Sequence, residues 1–89
     1  MTSRTTARFR KAFTQLPSHI QEQARHAYRL FRQNPQHSGL RYRQVHPTLP
    51  IYSARVGIHY RAVGRRDGDD IIWFWIGPHA EYDYLIGQL

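Results

Sequence analysis

Two segments decide the fold of this chain: IYSARVGIHYRAV, residues 51–63, and IIWFWIGPH, residues 71–79. The first segment alternates apolar and polar side chains, as a strand with one buried face does, and it carries Arg55 and Arg61. The second segment is apolar on both faces, which predicts a strand inside a sheet, and His79 stands at its end. Arginines on paired strands with a histidine nearby form a layout suited to handling a phosphate backbone.

The alternation also assigns side chains to the two faces of the predicted sheet. In the first segment one face receives Tyr52, Ala54, Val56 and Ile58, and the other receives Ile51, Ser53 and Arg55. Gly57 allows a bend or tight turn before residues 60–63 continue the sheet. In the second segment we expect Trp73 and Trp75 on one face, opposite Phe74, as core or partner-binding groups. Residues 65–70 are predicted to form a hairpin loop, because Asp67-Gly68 supplies positive-φ positions.

Helical periodicity upstream of the strands predicts two helices that form a hairpin. Their apolar stripes are Phe9, Ala12, Phe13 and Leu16 in the first helix and Ile20, Ala24, Ala27, Tyr28 and Phe31 in the second. The second helix begins either with Pro17 at its first position or with Ser18 as a cap that pairs with Gln21, and the sequence leaves both open. Asn34-Pro35 ends it.

The remaining elements are shorter. Residues 40–45 alternate as an edge strand with one polar face, which His46-Pro47 ends. A short opening strand around Thr5 and Thr6 is weakly signalled, and residues 80–89 are expected to form a C-terminal helix that packs through Tyr82, Leu85 and Ile86. The predicted fold class is therefore α+β, with an N-terminal helix hairpin packed on a small, mostly antiparallel β-sheet.

The composition of the chain limits the classes of function that it can have. The 89 residues fit a single domain, residues 1–89, because so short a chain closes only one core. Lysine and arginine total 13 against 6 acids, a net charge of +7, and all but Lys11 are arginine, whose planar fork matches phosphate. The absence of cysteine excludes disulfides and thiolate catalysis. No segment is apolar enough for a signal peptide or a membrane span, so a cytoplasmic location is expected.

Several motifs in this order resemble the RelE/ParE toxin superfamily over nearly the whole chain. They are Leu16-Pro17, the Asn34-Pro35 stop, YSARVG at 52–57, YRAV at 60–63 and the ending Ile76-Gly77-x-His79-x-Glu81-Tyr82-Asp83. The resemblance implies a single RelE/ParE-like domain, a toxin of a type II toxin-antitoxin pair, and a cognate antitoxin that wraps and neutralises it. Members like RelE cut messenger RNA in the ribosomal A site, whereas members like ParE poison DNA gyrase, and the fold alone does not choose between them.

The resemblance also implies roles for single residues. Arg55 stands where RelE-like nucleases have a cation that acts in the chemistry, and Arg61 matches an arginine that holds the phosphate. His79 falls where the family has an arginine or histidine after the glycine that ends the last strand. Ser53 occupies a position that is cationic in the best-known member.

The expected site is completed by flanking residues. Tyr82 or Tyr84 lies near the family's C-terminal aromatic, which stacks or assists; Tyr84 is assigned to the catalytic set. Arg41, Arg43, Ser53 and Tyr82 are assigned to nucleic-acid binding.

RNA cleavage without a metal proceeds by attack of the 2′-hydroxyl on its own phosphate, so the site must move protons and neutralise the phosphorane. His79 is the candidate acid or base, and Arg55 and Arg61 are the candidate phosphate clamp. A structural alternative pairs Arg55 with Asp83 or Glu81. No cofactor or metal is expected, because only His79 and Asp83 of the His79-x-Glu81-x-Asp83 motif share a helix face.

Three functions therefore compete. The leading hypothesis is an mRNA endoribonuclease that acts with the ribosome and blocks translation. The second is a ParE-like inhibitor of DNA gyrase that needs no catalytic residue. The third is an inactive member that only binds its antitoxin.

Overall fold

The computed structural model describes residues 2–89 as three α-helices, one short 3₁₀ helix and five strands. In chain order these are β1 (Thr2–Thr5), α1 (Ala7–Thr14), α2 (Ser18–Gln33), the 3₁₀ helix (Ser38–Leu40), β2 (Arg43–Gln44), β3 (Ile51–Val56), β4 (Tyr60–Asp67), β5 (Asp70–Pro78) and α3 (His79–Gln88). The strands form one sheet in the order β1-β5-β4-β3-β2, with β1 parallel to β5 and the other neighbours antiparallel. The predicted α+β class is confirmed. Within residues 2–89 no helix is both long and apolar enough to cross a membrane.

The start of α2 differs from both alternatives that the sequence left open. Pro17 is the capping residue, with φ −54° and ψ 148°, and Ser18 is the first helical residue and makes no side-chain cap. Gln21 instead reaches back to α1: its amide nitrogen donates to the carbonyl oxygens of Phe13 at 3.1 Å and Leu16 at 3.2 Å. Phe13 lies in the last turn of α1 and Leu16 lies in the connection that follows it, so Gln21 closes the turn between the helices.

The two helices follow one another across a short turn but pack on different strands. α1 lies against β5, whereas α2 lies against β3. A groove of about 640 Å³ opens between them and the sheet. The two helices therefore lie apart from each other over the sheet, each on its own strand.

Hydrophobic clusters lie on both faces of the sheet. The larger one faces α1 and α2 and contains Phe31, Leu40, Ala54, Val56, Ala62, Ile71, Trp73 and Ile76. The smaller one faces α3 and contains Ile51, Val63 and Tyr82, with Val45, Phe74, Trp75, Leu85 and Ile86 packed against it. The predicted alternation of residues 51–56 is confirmed. Ile58 departs from it, because Gly57 has φ 62° and turns the chain, which leaves Ile58 exposed.

Trp73 and Trp75 do not share a face, contrary to the prediction. Val63 pairs with Trp75 while the next residue, Gly64, pairs with Trp73, so Phe74 is an extra residue that forms a β-bulge. The bulge reverses the alternation: Trp73 packs toward α1 and α2, and Trp75 packs toward α3. A period-two reading fails across any bulge, because one unpaired residue exchanges the two faces.

Three smaller predictions about strands also change. The edge strand is only Arg43–Gln44, because Arg41 adopts the left-handed conformation with φ 47° and breaks the alternation. β4 runs to Asp67, so Arg65 and Arg66 are strand residues and the turn is confined to residues 68–69. The opening strand is confirmed, but it lies at Thr2–Thr5, a few residues earlier than expected. Thr6 caps α1, because its side-chain oxygen accepts a hydrogen bond from the Phe9 amide at 3.1 Å.

Candidate nucleic-acid interface

The pairing of β3, β4 and β5 places the predicted site residues in one row. Arg55 pairs with Arg61, and Arg61 pairs with Gly77. Cross-strand partners project to the same face, which here is the face that carries α3. The adjacent row on that face runs from Trp75 through Val63 and Ser53 to Arg43. We call Arg41, Arg43, Arg55 and Arg61 the arginine cluster.

The surroundings of Arg61 disfavour its charged form. Burial is the main cause that lowers the pKa of Arg61; the charge of Arg55 lowers it further, Tyr82 raises it, and Arg41 and Arg43 lower it. A lowered pKa in an arginine means that its charged form lacks compensation. A phosphate seated among these side chains would supply that compensation.

The guanidinium groups are held by backbone oxygens. Arg55 Nε donates to the Gly57 carbonyl at 2.8 Å, and an Arg61 terminal nitrogen donates to the Tyr60 carbonyl at 3.0 Å. Neither arginine forms an ion pair with any residue between 2 and 89, so the alternative that pairs Arg55 with Asp83 or Glu81 is wrong. Both guanidinium groups therefore keep hydrogen-bond donors for a ligand.

His79 opens α3 next to this row. Its backbone amide donates to the His59 carbonyl at 2.7 Å, which ties the start of α3 to the turn between β3 and β4. Its Nδ1 lies 3.2 Å from an Asp83 carboxylate oxygen, and its ring meets Tyr82 edge-on with centroids 5.6 Å apart. The side chain is about half exposed, so its other ring nitrogen can reach a ligand.

The two C-terminal tyrosines have opposite environments. Tyr82 is buried, and its hydroxyl lies 3.4 Å from the hydroxyl of Ser53, which is also buried. Ser53 and Tyr82 thus lie beneath the surface on which nucleic-acid contacts were expected, and the ring of Tyr82 packs against core residues. Tyr84 is 72% exposed and lies two residues further along α3, on the other side of the helix. The helical spacing of Tyr82 with Leu85 and Ile86 is the signal that identifies it as the packing tyrosine.

The groove between α1, α2 and the sheet is a second surface, on the opposite face. Its floor is formed by the apolar residues Ala54, Val56, Ala62, Trp73 and Ile76, and its walls include Phe9, Phe13 and Tyr28. Arg10, Arg25 and Arg29 also line it. Arg25 pairs with Glu22 at 2.6 Å and lies over the Phe13 ring.

A third feature was not anticipated from the sequence. A polar cleft of about 520 Å³ separates the segment after β2 from α3, next to Arg43. It includes Gln44, His46 and Asp83, whose separation in sequence hides their proximity. Within residues 2–89 no group of three or more histidine, aspartate or glutamate side chains is placed to hold a metal ion.

A five-stranded mixed sheet flanked by three helices is the fold of toxin-type domains of the RelE/ParE superfamily. The chain belongs to the ParE-like toxin domain family, which matches residues 18–84.

Solved structures share the fold. YafQ from E. coli strain BL21(DE3) superposes with a TM-score of 0.71 at 10% identity, covering 90% of this chain and 94% of YafQ. The RelB-RelE antitoxin-toxin complex from Methanococcus jannaschii gives 0.70 at 24% identity, covering 91% of this chain and 96% of the matched one. A copper-bound mutant toxin from Helicobacter pylori gives 0.62 at 14% identity, covering 91% and 97%. No curated protein sequence matches significantly.

Proposed function

We propose that this protein is the toxin of a type II toxin-antitoxin pair and that it cleaves messenger RNA at the ribosome without a metal. The observation that carries the proposal is the arginine cluster, in which Arg55 and Arg61 pair across two strands and find no carboxylate partner among residues 2–89. An uncompensated guanidinium pair is suited to an anion whose charge grows during the reaction.

In the proposed reaction the 2′-hydroxyl of one nucleotide attacks its own 3′-phosphate and the 5′-oxygen of the next nucleotide leaves. Arg55 and Arg61 donate hydrogen bonds to the non-bridging oxygens, whose negative charge is greatest in the phosphorane. His79 exchanges a proton with one of these two oxygens, the 2′-hydroxyl or the leaving 5′-oxygen, through the ring nitrogen that faces away from Asp83. Solvent water exchanges the proton of the other oxygen, so that one proton leaves the 2′-hydroxyl and one reaches the 5′-oxygen. Arg41 and Arg43 hold flanking phosphates. Tyr84, exposed on α3, stays a candidate only if RNA reaches the far side of that helix.

The test of the catalytic proposal compares two arginines of one strand. Purified protein is added to a cell-free translation reaction, and transcript integrity is followed by primer extension. We expect Arg61→Ala to slow cleavage by roughly 10²- to 10³-fold, the usual effect of losing one donor to a developing oxyanion. Arg65→Ala removes the same charge from an exposed position of β4 and is expected to retain near-normal cleavage.

Equal loss in both variants would indicate general charge attraction and would contradict a specific clamp. Intact transcripts and undisturbed translation with the unaltered protein would refute the nuclease proposal itself.

Membership of the ParE-like family favours one alternative, a toxin that inhibits DNA gyrase by binding. Such a protein needs no proton transfer. Inhibition of DNA supercoiling that survives His79→Ala, with transcripts left intact, would support it over the nuclease.

We further propose that an antitoxin segment occupies the groove between α1, α2 and the sheet. The groove is apolar inside and carries arginines at its margin, so it suits an amphipathic segment with acidic flanks. The RelB-RelE complex is a precedent in a related fold for a toxin held by an antitoxin. A small acidic protein encoded by the adjacent reading frame is the expected partner.

A substitution at Tyr28 tests the groove as a binding site, because Tyr28 lines the groove and 41% of the residue is exposed. We expect Tyr28→Ala to weaken binding of that partner by roughly tenfold or more, the usual effect of truncating an aromatic anchor. His26→Ala, on the exposed side of α2, is the matched control and is expected to leave binding unchanged. Isothermal titration calorimetry measures both, and equal affinities would contradict the proposed site.

A further inference from the structure

We propose that the polar cleft beside the arginine cluster is a nucleobase pocket that prefers guanine, and that Asp83 determines this preference. The inference rests on the proposed RNA cleavage and specifies the base that this site recognises. It concerns the cleft between residues 43–47 and α3, which has a volume of about 520 Å³ and is lined by Arg43, Gln44, Val45, His46, Pro47, Tyr82, Asp83 and Ile86.

The cleft is continuous with the arginine cluster. Arg43 lines the cleft and pairs with Ser53 of β3, in the row next to the one that holds Arg55 and Arg61. Its positive charge is felt at Arg61. An RNA strand with a phosphate between Arg55 and Arg61 would therefore have a neighbouring base within reach of the cleft.

Most polar atoms of the cleft's loop side are already used. His46 Nδ1 accepts from the amides of Thr48 at 3.1 Å and Leu49 at 2.9 Å, so the ring carries its proton on Nε2, which donates to the Leu89 carbonyl at 3.1 Å. The Gln44 side-chain nitrogen donates to the Leu49 carbonyl at 2.9 Å. These two side chains therefore form a fixed wall of the cleft.

The groups that remain for a ligand are the Asp83 carboxylate, the Arg43 guanidinium and the amide oxygen of Gln44, which accepts no hydrogen bond within residues 2–89. One Asp83 oxygen lies 3.2 Å from His79 Nδ1, which leaves the other oxygen of this exposed side chain open. Arg43 makes no side-chain hydrogen bond or ion pair in the part of the chain from residue 2 to residue 89. Val45, Pro47 and Ile86 supply apolar surface for the faces of a planar ring.

This donor and acceptor set matches guanine better than adenine. Guanine presents two adjacent donors, N1–H and the N2 amino group. The Asp83 carboxylate can accept both, because each of its oxygens has two lone pairs and the oxygen beside His79 uses only one of them. The O6 and N7 atoms of guanine accept from arginine. Adenine presents an unprotonated N1, whose lone pair would face the carboxylate. A carboxylate also repels phosphate, so Asp83 favours a base with hydrogen-bond donors over the RNA backbone in this cleft. Proteins commonly read unstacked RNA bases by these edges.

The test measures binding without cleavage, so that it does not depend on catalysis. Short oligoadenylates with 2′-O-methyl riboses, which cannot supply the attacking hydroxyl, carry guanine, hypoxanthine or adenine at their centre. Fluorescence anisotropy gives the affinity of each for the full chain. We expect guanine to bind roughly tenfold more tightly than adenine, with hypoxanthine between them because it lacks the N2 amino group.

Two substitutions on α3 separate recognition from charge. Asp83→Asn is expected to abolish the guanine preference, while Glu81→Gln removes the same charge two residues away, outside the cleft, and is expected to keep it. Equal affinity for the three oligonucleotides, or equal effects of the two substitutions, would overturn the pocket and leave the cleavage proposal standing. Failure of every oligonucleotide to bind would overturn the pocket, whereas the cleavage proposal is decided separately by the cell-free translation assay.

Discussion

Arg61 and Tyr42 each place a polar group where burial disfavours it, and their surroundings compensate them differently. Arg61 lies among like charges at the edge of the surface, where a ligand can neutralise it. The hydroxyl of Tyr42 is buried and has no partner with hydrogen-bonding geometry within residues 2–89, although the nearby Arg66 guanidinium partly offsets the effect of burial. An uncompensated charge near the surface indicates a binding site, whereas an unpaired polar group in the core only reduces stability.

Tyr42→Phe is expected to stabilise the protein. The ring stacks on Tyr52 with centroids 5.1 Å apart and meets Phe31 edge-on at 5.0 Å, and phenylalanine keeps both contacts. Removing a buried hydroxyl that lacks a partner should raise the free energy of unfolding by about 1 kcal/mol. Urea unfolding at neutral pH measures the change, and Tyr52→Phe serves as the control. A loss of stability in Tyr42→Phe would show that the hydroxyl has a partner after all.

Tyr42 also predicts how stability depends on alkaline pH. Burial is the main cause that raises the pKa of Tyr42 above its ordinary value of 10.0. Above that pH the unfolded chain loses the phenolic proton while the folded chain retains it, so unfolding becomes more favourable as pH rises. We expect the stability of the unaltered protein to fall above about pH 10 and Tyr42→Phe to show a smaller fall. Parallel profiles would contradict this cause.

At the scale of elements, the bulge in β5 decides which side chains face the site. It turns Trp75 and Gly77 toward α3 while Trp73 stays under α1, so Gly77 joins Arg61 and Arg55 in one row. Gly64 lies opposite the bulge. A Cβ at Gly64 would come within 2.9 Å of the Trp73 ring and 3.0 Å of the Ile71 side chain. The close approach of Trp73 to the backbone of β4 thus depends on glycine.

Gly64→Ala is expected to destabilise the protein by about 1 to 3 kcal/mol, because the added methyl group overpacks a buried tryptophan. Gly87→Ala is the contrasting change: Gly87 is helical, and a Cβ there meets no atom within 4 Å. Its higher helix propensity should add up to about 1 kcal/mol. Chemical unfolding monitored by tryptophan fluorescence measures both variants. A neutral Gly64→Ala would show that Trp73 can move aside.

At the scale of the whole molecule, the sheet separates two chemistries. The face toward α3 carries the arginine cluster, and the face toward α1 and α2 carries the apolar groove. A partner seated in the groove alone would leave the arginine cluster uncovered, and a partner that covers both surfaces would need a further segment that crosses an edge of the sheet. The net charge of +7 is shared by both faces, because the groove is lined by Arg10, Arg25 and Arg29 and the opposite face carries the arginine cluster.

The two surfaces should therefore respond differently to salt. RNA binding releases counterions, so the logarithm of its affinity should fall linearly with the logarithm of salt concentration, by about 0.7 for each phosphate neutralised. Arg61→Ala removes one phosphate contact and should therefore reduce the magnitude of this slope by about 0.7. Partner binding in the apolar groove should depend on salt more weakly, since it is driven by burial of apolar surface. Titrations of both ligands from low to moderate salt measure the slopes, and equal slopes would contradict the separation.

The sequence by itself determined the helices and strands and most of the residues in the row that crosses β3, β4 and β5. Period-two alternation in residues 51–56 and helical spacing in α1 and α2 are local patterns, and local patterns survive folding unless an irregular residue interrupts them. The resemblance brought Arg55, Arg61 and His79 forward, and the structure adds where they lie relative to one another.

The tertiary structure decided what depends on irregular or distant contacts. The extra residue at Phe74 exchanged the faces of β5, and the left-handed Arg41 shortened β2; neither leaves a clear signature in composition or spacing. Only the packing of α3 buried Tyr82 against Ser53 and exposed Tyr84. It also brought Asp83 to a cleft beside Arg43, because these residues lie 40 positions apart in the chain and meet only when the last helix folds across the sheet.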